Sequence, residues 1–323
     1  MSTWLWPTAW QWPTAPSAWP VSDGSQFWTD WLWRGGYRLQ AHATNDSWRV
    51  VCPEGIRRGY GSREHCSAIF DRLAGDPPDS LADSHIVILL HGLLRTRRCM
   101  KSLEQAVREA GITTVIRFDY ASSRLGISTH AAALRSVVEG LPPTAPLSFV
   151  GHSMGNIVLR HAIGDWLAAD PQAVLSRMHR VVMLGPPNHG AAIARVLSQL
   201  KLFGVVTGEG GKQLGPNWNE LHPKLGLPPC PFAIVAGDLA PRMIRNPLIG
   251  PHSDLLVTVD EAKLEGAAEL LVIPVPHSRL MTDARVLRFA TDFITAEPSA
   301  NPPAERLSTE PGLPDAPNEE IDP

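Results

Sequence analysis

Hydrophobic positions in the middle of the chain follow two spacings in turn. Short continuous apolar runs, such as His85–Leu90 (HIVILL), are typical of strands buried on both faces. Other segments, such as Ser62–Ala74, repeat their apolar residues at helical spacing. Further strands are predicted at Ile112–Phe118, Leu147–Val150, His179–Leu184, Phe232–Ala236 and Glu269–Ile273, and further helices at Lys101–Ala110, Ser128–Glu139, Ser153–Trp166, Ala191–Leu200 and Met281–Ile294. Strands that alternate with helices in this way predict an α/β fold, with a parallel sheet covered by helices on both faces.

The first 48 residues do not follow this alternation, although nine of the eleven tryptophans lie there. Trp4–Ala9 (WLWPTA) is followed by the similar Trp10–Ala15 (WQWPTA), and a proline every six residues excludes a regular helix. We predict a poorly ordered Trp/Pro-rich arm over residues 1–34, followed by a hairpin of Tyr37–His42 and Trp48–Cys52. The arm has two interpretations: a segment that contacts a membrane interface, which tryptophan favours, or a leader without a role.

The other end of the chain is acidic and rich in proline. Residues 296–323 contain seven prolines, seven acidic residues and one basic residue, so they cannot bury enough apolar surface to fold. We predict a disordered tail. Its charge accounts for the whole net charge of −3 and leaves residues 1–295 near +3. This balance argues against a nucleic-acid partner, which usually requires a basic surface.

Several other classes are excluded by what the chain lacks. No run of 18 uncharged apolar residues predicts a membrane-spanning helix, and the N-terminus has no charged and apolar signal-peptide pattern. The four cysteines have no metal-ligand spacing and do not suggest a disulfide framework. We therefore expect a cytoplasmic protein without a metal or a cofactor, with peripheral membrane contact only if the Trp-rich arm makes it.

The strand Leu147–Val150 runs directly into the sequence Gly151-His152-Ser153-Met154-Gly155, and a predicted helix follows. Glycines two residues before and after the serine allow a sharp strand-to-helix turn that larger residues would obstruct. Such a turn exposes the serine hydroxyl at the carboxyl end of the sheet. The pattern G-x-S-x-G alone arises by chance in about one chain in ten of this length. The strand before it and the helix after it favour Ser153 as a nucleophile over an ordinary glycine turn.

A nucleophilic serine needs backbone N–H groups that stabilise the oxyanion formed in the reaction. The residue after the nucleophile, Met154, can supply one of them. The second should come from the loop that follows an earlier strand, and His91-Gly92-Leu93-Leu94 follows His85–Leu90 directly. We predict Leu93 as this donor, with Leu94 as the alternative one position away. His91 is disfavoured as the catalytic base because the expected chain order is Ser, acid, His.

Among the twelve histidines, His277 is the predicted base. It follows the strand Glu269–Ile273, and parallel strands present their C-terminal loops at one edge of the sheet, where Ser153 also lies. The side chain of His152 should point away from the hydroxyl at such a turn. For the acid, position after a strand favours Asp238, whereas the apolar run that follows favours Asp254. Asp260 is a weaker third candidate, and reasoning from the residues alone leaves the first two open.

Three segments, HGLL, GHSMG and SDLLVTVDEAKLEGAAELLVIPVPHSRLM, resemble the α/β-hydrolase lipases and esterases. The last segment is similar to the small secreted lipases of Bacillus. The resemblance covers roughly residues 84–185 and 232–294, and it implies an α/β-hydrolase fold. It also implies Asp254 as the acid of a triad with Ser153 and His277, and the amides of Leu93 and Met154 as the oxyanion donors. Secretion does not carry over, since this chain lacks a signal-peptide pattern and is longer.

The predicted function is therefore hydrolysis of carboxylic esters, either small molecules or lipids. The same triad also serves acyl transfer and the cleavage of thioesters or amides. A non-catalytic lipid-binding protein that has kept the fold is the alternative from another functional class. Residues 201–231, rich in Gly and Pro, are predicted to form either a cap over the sheet edge or an ordinary surface loop.

Overall fold

The computed structural model describes residues 19–20, 25–76, 81, 84–169, 171–191, 210–244, 246–296 and 306–308. Its strands are β1 (Trp19–Pro20), β2 (Trp28–Arg34), β3 (Tyr37–His42), β4 (Trp48–Val51), β5 (Ile56–Gly61), β6 (Ile86–Leu90), β7 (Thr114–Phe118), β8 (Leu147–His152), β9 (Met178–Leu184), β10 (Phe232–Gly237), β11 (Glu269–Ile273) and β12 (Arg306–Ser308). Its helices are α1 (Arg63–Ala74), α2 (Lys101–Glu109), α3 (Ile127–Glu139), α4 (Met154–Ala169), α5 (Pro171–Val174), α6 (Trp218–Leu221), α7 (Val259–Ala262) and α8 (Ala284–Thr295). Residues 210–214 are also helical.

The larger sheet has the strand order β12-β11-β10-β9-β8-β6-β7, and its pairings are all parallel. Parallel neighbours need crossover connections, which α2, α3 and α4 supply between β6 and β9. Leu134 of α3 and Ile157 of α4 belong to the hydrophobic core on one face, while Leu103 of α2 and Val286 of α8 belong to the core on the other. The predicted parallel sheet with helices on both faces is thus confirmed. No helix in the described ranges is long and apolar enough to span a bilayer.

Two element boundaries near the predicted site differ from the sequence-based expectation. β8 continues through Gly151 and His152, because His152 still pairs with Leu184 of β9. The last helix begins at Ala284 rather than at Met281, since the Asp283 side chain accepts the Arg285 N–H at 3.0 Å and caps the helix there. The predicted helix Ala191–Leu200 lies outside the described residues except for Ala191.

A second, antiparallel sheet has the order β1-β5-β4-β3-β2. The two strands of the predicted hairpin are its central pair, β3 and β4. One face packs against α1, whose first turn is capped by the Ser62 side chain, and this contact buries four residues: Leu39, Val50, Cys66 and Phe70. We call residues 25–76, which contain β2 to β5 and α1, the N-terminal layer.

The predicted boundary of the N-terminal arm at residue 34 is wrong. Residues 25–34 belong to the N-terminal layer, because Thr29 and Asp30 are buried and Trp31 and Trp33 pack against the core of the larger sheet. The tryptophans of β2 therefore contribute to the folded body. Residues 1–18 and 21–24 lie outside the described residues, so the two interpretations of the remaining arm stay predictions.

The prediction of a wholly disordered tail is also wrong for three residues. Arg306–Ser308 form β12 and pair in parallel with β11, whose outer edge otherwise leaves backbone groups unpaired. The other residues beyond Ala296 lie outside the described residues. Of the predicted cap, residues 210–231 are described, and Leu214 and Leu221 are buried in the main core. Residues 201–209 lie outside the described part, so the role as a cap stays a prediction.

Candidate active site

The chain makes a sharp strand-to-helix turn at Ser153, between β8 and α4. The serine has a φ of +53°, which is unusual for a residue with a side chain and stores backbone strain. Its N–H donates to the Leu184 carbonyl at 2.8 Å, and its own carbonyl accepts the Asn156 N–H at 3.0 Å. A Cβ atom at Gly155 would lie 2.7 Å from the carbonyl oxygens of Leu90 and His91, so only glycine fits there.

His277 lies in the loop after β11 and is paired with Asp254. The two atoms His277 Nδ1 and Asp254 Oδ2 are 2.6 Å apart, and both side chains are buried. The backbone N–H of His277 also donates to the Asp254 carbonyl at 3.0 Å. The other carboxylate oxygen, Oδ1, accepts the N–H groups of Leu256 at 3.0 Å and Val257 at 2.8 Å. The acid is thereby held in one orientation, with one oxygen directed at the imidazole.

The other acids that the sequence left open are engaged elsewhere. Asp238 Oδ2 lies 2.9 Å from His252 Nδ1, and Asp238 Oδ1 accepts the Ala240 N–H at 2.9 Å. Asp260 pairs with Lys263 at 2.8 Å and its side chain is 88% exposed. Asp254 is thus the candidate that the fold brings to His277.

Ser153 and His277 lie at the same edge of the sheet. Both are next to the end of β9, at Leu184 and Gly185. Ser153 is bonded to Leu184, and a Cβ at the next residue, Gly185, would lie 3.0 Å from His277 Nδ1. A Cβ at Gly92 would lie 3.0 Å from the Ser153 Cβ. Among the described residues, no hydrogen bond within 3.5 Å joins the serine hydroxyl to His277. Such bonds are often loose before a substrate enters.

The predicted oxyanion donors lie on both sides of the serine turn. Met154 opens α4, where the first N–H groups have no acceptor within the helix. Leu93 lies in a turn that is closed by the Arg95 N–H donating to the Gly92 carbonyl at 3.2 Å. In the described part of the chain, neither the Met154 N–H nor the Leu93 N–H donates to a protein acceptor. The alternative donor, Leu94, has a φ of +57° and is 47% exposed.

Two further histidines near the site, His91 and His152, are buried in structural contacts. His91 is buried and stacks on the Tyr120 ring, with the ring centroids 4.1 Å apart. His152 is buried as well, and its Nε2 donates to the His277 carbonyl at 3.0 Å. Burial lowers the pKa of His152 well below its usual range, so its ring stays neutral. His152 therefore supports the loop that carries His277, a contact that sequence reasoning missed because the two residues are far apart in the chain.

The N-terminal layer also reaches the site, which the sequence did not indicate. Gln26 Nε2 donates to the Arg95 carbonyl at 2.7 Å, at the end of the turn that contains Leu93. Gln26 Oε1 accepts the Ser123 hydroxyl at 2.7 Å. A single side chain thus joins the loop after β6 to the loop after β7. No signal in the sequence could have shown this role for one polar residue in the Trp-rich start.

The described residues contain no group of three or more His, Cys, Asp or Glu side chains that could hold a metal ion. The four cysteines are free thiols. The arrangement is instead one that can carry out nucleophilic chemistry: a strained, accessible serine, a buried imidazole–carboxylate pair and two available N–H groups at one edge of the sheet.

Comparisons with known proteins bear on the fold and on the segment around Ser153. Residues 80–185 match the family model described as "Putative serine esterase (DUF676)". The mature lipase BlEst2 of Bacillus licheniformis is 16% identical with a TM-score of 0.50, over 69% of this chain and 97% of that one. Its propeptide form is 16% identical with a TM-score of 0.52, over 71% of this chain and 53% of that one. A comparison with curated proteins yields no match. The chain therefore has the α/β-hydrolase fold, and residues 80–185 match a model of putative serine esterases, in agreement with the resemblance to lipases and esterases seen in its motifs.

Proposed function

We propose that this protein hydrolyses carboxylic esters through an acyl-enzyme intermediate on Ser153. The observation that carries the proposal is the 2.6 Å contact between Asp254 and His277 at the sheet edge where Ser153 turns. A buried carboxylate that orients an imidazole beside a strained serine is the arrangement that activates a hydroxyl as a nucleophile. The serine esterase match over residues 80–185 contains the serine but neither His277 nor Asp254. The two sources of support are therefore independent.

In the first half of the reaction, the Ser153 hydroxyl oxygen attacks the acyl carbon while His277 Nε2 takes its proton. Asp254 stabilises the imidazolium that forms, through the hydrogen bond at Nδ1. The N–H groups of Leu93 and Met154 stabilise the negative oxygen of the tetrahedral intermediate. The intermediate then expels the alcohol, which receives the proton from His277, and the acyl group remains bonded to Ser153.

In the second half, a water molecule replaces the alcohol. His277 removes its proton as the water oxygen attacks the acyl-enzyme, and the same oxyanion donors stabilise the second tetrahedral intermediate. Collapse returns the proton to Ser153 Oγ and releases the carboxylic acid. The chain needs no metal or cofactor for either half, because acid–base and nucleophilic groups supply each step.

The residues beside the site favour an ester with an apolar part. Leu94 follows the predicted oxyanion donor and Leu256 follows the acid by two positions, and they are 47% and 41% exposed. Exposed leucines close in the chain to the oxyanion donor and to the acid offer apolar surface to an acyl chain. Small-molecule esters and lipid esters both satisfy this requirement.

A series of p-nitrophenyl esters, from acetate to palmitate, tests the proposal. Wild type should hydrolyse at least one ester, and Ser153→Ala should lose nearly all of that activity. A fluorophosphonate probe should label wild type and not Ser153→Ala. Ser176→Ala is the matched control, because Ser176 is exposed and bonded to the Gln172 carbonyl away from the triad, and it should behave as wild type.

The proposal is wrong if Ser153→Ala keeps its labelling by the probe. It is also wrong if wild type is no faster than Ser153→Ala on every ester. The second result with intact labelling of wild type would point to acyl transfer or to thioester or amide cleavage. Absence of labelling in wild type would point to a non-catalytic protein with a retained fold.

A further inference from the structure

A cavity of about 200 Å³ lies where the N-terminal layer meets the edge of the larger sheet. The start of β3, the ends of β2 and β4 and the turns after them form one wall. β7, α2 and the turn before α2 form the other. Four arginines line it, together with a single acidic residue, Glu104: Arg38, Arg97, Arg108 and Arg117. Each wall contributes part of the charge, so the site exists only when the two sheets are docked.

The arginines outnumber the carboxylates that neutralise them. Arg108 and Arg117 contact the same carboxylate, Glu104, at 3.2 Å and 2.7 Å. Arg38 pairs with Asp30 at 2.7 Å. Behind the wall, the buried Arg49 donates through Nε to the neutral amide oxygen of Gln40 at 2.7 Å. Among the described residues, the four lining arginines and Arg49 behind them are matched by three carboxylates, Glu104, Asp30 and Asp119, which leaves two positive charges in excess.

The crowding of positive charges affects the pKa of Arg117. Burial lowers its pKa, and although Glu104 raises it, the positive charges of Arg97 and Arg38 lower it further. A cation entering the cavity would add to this repulsion, and an apolar ligand would offer the guanidinium N–H groups no further acceptor. An anion would relieve the repulsion and accept hydrogen bonds from several guanidinium groups.

The charge and the size of the cavity together indicate which anion fits. A phosphate monoester carries nearly two negative charges at pH 7, which matches the surplus of two guanidinium groups. Its oxygens suit the planar fork of arginine, which binds phosphate through paired N–H donors. We propose that this cavity is a binding site for a phosphate monoester group, held by Arg97, Arg108 and Arg117. The group can belong to a soluble metabolite or to a phospholipid head group.

This site does not depend on the proposed ester hydrolysis. Its arginines are not members of the triad or of the oxyanion pair, so Ser153→Ala should bind the anion as wild type does. Failure of one proposal therefore leaves the other standing.

Isothermal titration of the full chain with glycerol phosphate, at constant ionic strength, tests the site. Arg108→Gln should weaken binding at least tenfold, because one donor and one positive charge are lost. Glu104→Gln should tighten binding several-fold, because the competing carboxylate is removed without a change of shape. Arg135→Gln is the matched control, since Arg135 pairs with Glu139 on α3, outside the cavity, and it should bind as wild type does.

A thermal unfolding curve without ligand confirms that each variant is folded. Sedimentation with vesicles of phosphatidylcholine containing phosphatidate distinguishes the two sources of the group. Binding of glycerol phosphate, or of the phosphatidate vesicles alone, supports the site if the Arg108 and Glu104 variants change it in opposite directions. No binding to either probe, or equal binding by the Arg108, Glu104 and Arg135 variants, overturns it.

Discussion

The two sheets of this protein differ in what their strands bury. The central strands of the larger sheet bury mostly apolar residues, and all five residues of β6 are fully buried. In the N-terminal layer, one face is apolar against α1, whereas the other carries a buried polar network of Asp30, Arg38, Gln40 and Arg49. Apolar burial tolerates approximate contacts, but a buried polar network is stable only when each group finds its partner.

The polar network is what joins the two sheets. Asp30 Oδ2 accepts the backbone N–H of Asp119 at 2.8 Å, just after β7, and the Asp30 N–H donates to the Asp119 carbonyl at 2.8 Å. Thr29 Oγ1 accepts the Ala121 N–H at 3.1 Å. β2 thus pairs with a loop of the larger sheet at the edge next to the candidate site. The difference teaches that the larger sheet is held together by its own apolar core, whereas the polar network docks the N-terminal layer onto the edge of that sheet.

The largest expected effect lies within the larger sheet and concerns the acid. Asp254→Asn should lower kcat on the best ester by about 10⁴-fold, because an amide cannot hold the imidazole in the tautomer that accepts the serine proton. Asp238→Asn, whose partner is His252, should stay within a few-fold of wild type. Steady-state kinetics of both variants decide the assignment, and the reverse order would move the acid to Asp238.

Breaking the polar network between the sheets should lower the free energy of unfolding more than it lowers the catalytic rate. Asp30→Ala leaves the buried Arg38 without its carboxylate, and we expect a loss of about 3–5 kcal/mol in the free energy of unfolding. Urea unfolding followed by circular dichroism measures it. Asp260→Ala, which removes an exposed carboxylate, should change stability by less than about 0.5 kcal/mol. Equal stability of the two variants would show that the network does not hold the sheets together.

The buried His130 should also make the free energy of unfolding depend on pH. His130 on α3 packs against the Tyr120 ring, with centroids 4.7 Å apart, and burial lowers its pKa to about 3. The unfolded chain, with an ordinary histidine pKa, binds more protons between about pH 6.5 and pH 3, so stability falls as the pH falls through this range. The slope from one histidine is at most about 1.4 kcal/mol per pH unit.

His130→Leu should remove this contribution, because leucine has no proton to bind. Urea unfolding at pH 6.5 and pH 4.5 should therefore show a smaller loss for the variant than for wild type. His189→Leu, which changes an exposed histidine, is the control and should keep the wild-type dependence. An unchanged pH dependence in His130→Leu would mean that other groups cause it.

The smallest expected effect is the influence of the N-terminal layer on the site. Gln26→Ala removes the hydrogen bond to the Arg95 carbonyl, worth about 0.5–1.5 kcal/mol, beside the turn that contains Leu93. If the bond aligns the oxyanion donor, kcat should fall about two- to tenfold with KM nearly unchanged. Gln105→Ala, on the exposed face of α2, is the control. Equal kcat for both variants would show that the N-terminal layer has only a structural role.

The parallel sheet and the serine turn could be predicted from local patterns. A strand buried on both faces needs a continuous apolar run, and a tight strand-to-helix turn needs glycine where a Cβ would meet backbone oxygens, as at Gly155. Both features leave a signal in a short stretch of sequence, although the backbone oxygens that crowd Gly155 belong to Leu90 and His91 at the end of β6. The N-terminal layer was harder to predict, because the polar residues of β2 resemble a loop until Asp119 and Ala121 are brought opposite them.

The choice of acid depended on the tertiary structure for a similar reason. Local patterns left Asp238 and Asp254 open, and the resemblance to lipases implied Asp254. The contact across 23 positions between Asp254 and His277 is what the folded structure adds. The support of His277 by His152 spans 125 positions. The sequence by itself determined the α/β class, the serine turn and the order of the candidate residues, since these depend on local spacing. Which side chains meet was decided by the folded structure, because hydrogen bonds between distant segments depend on where the sheets and loops place them.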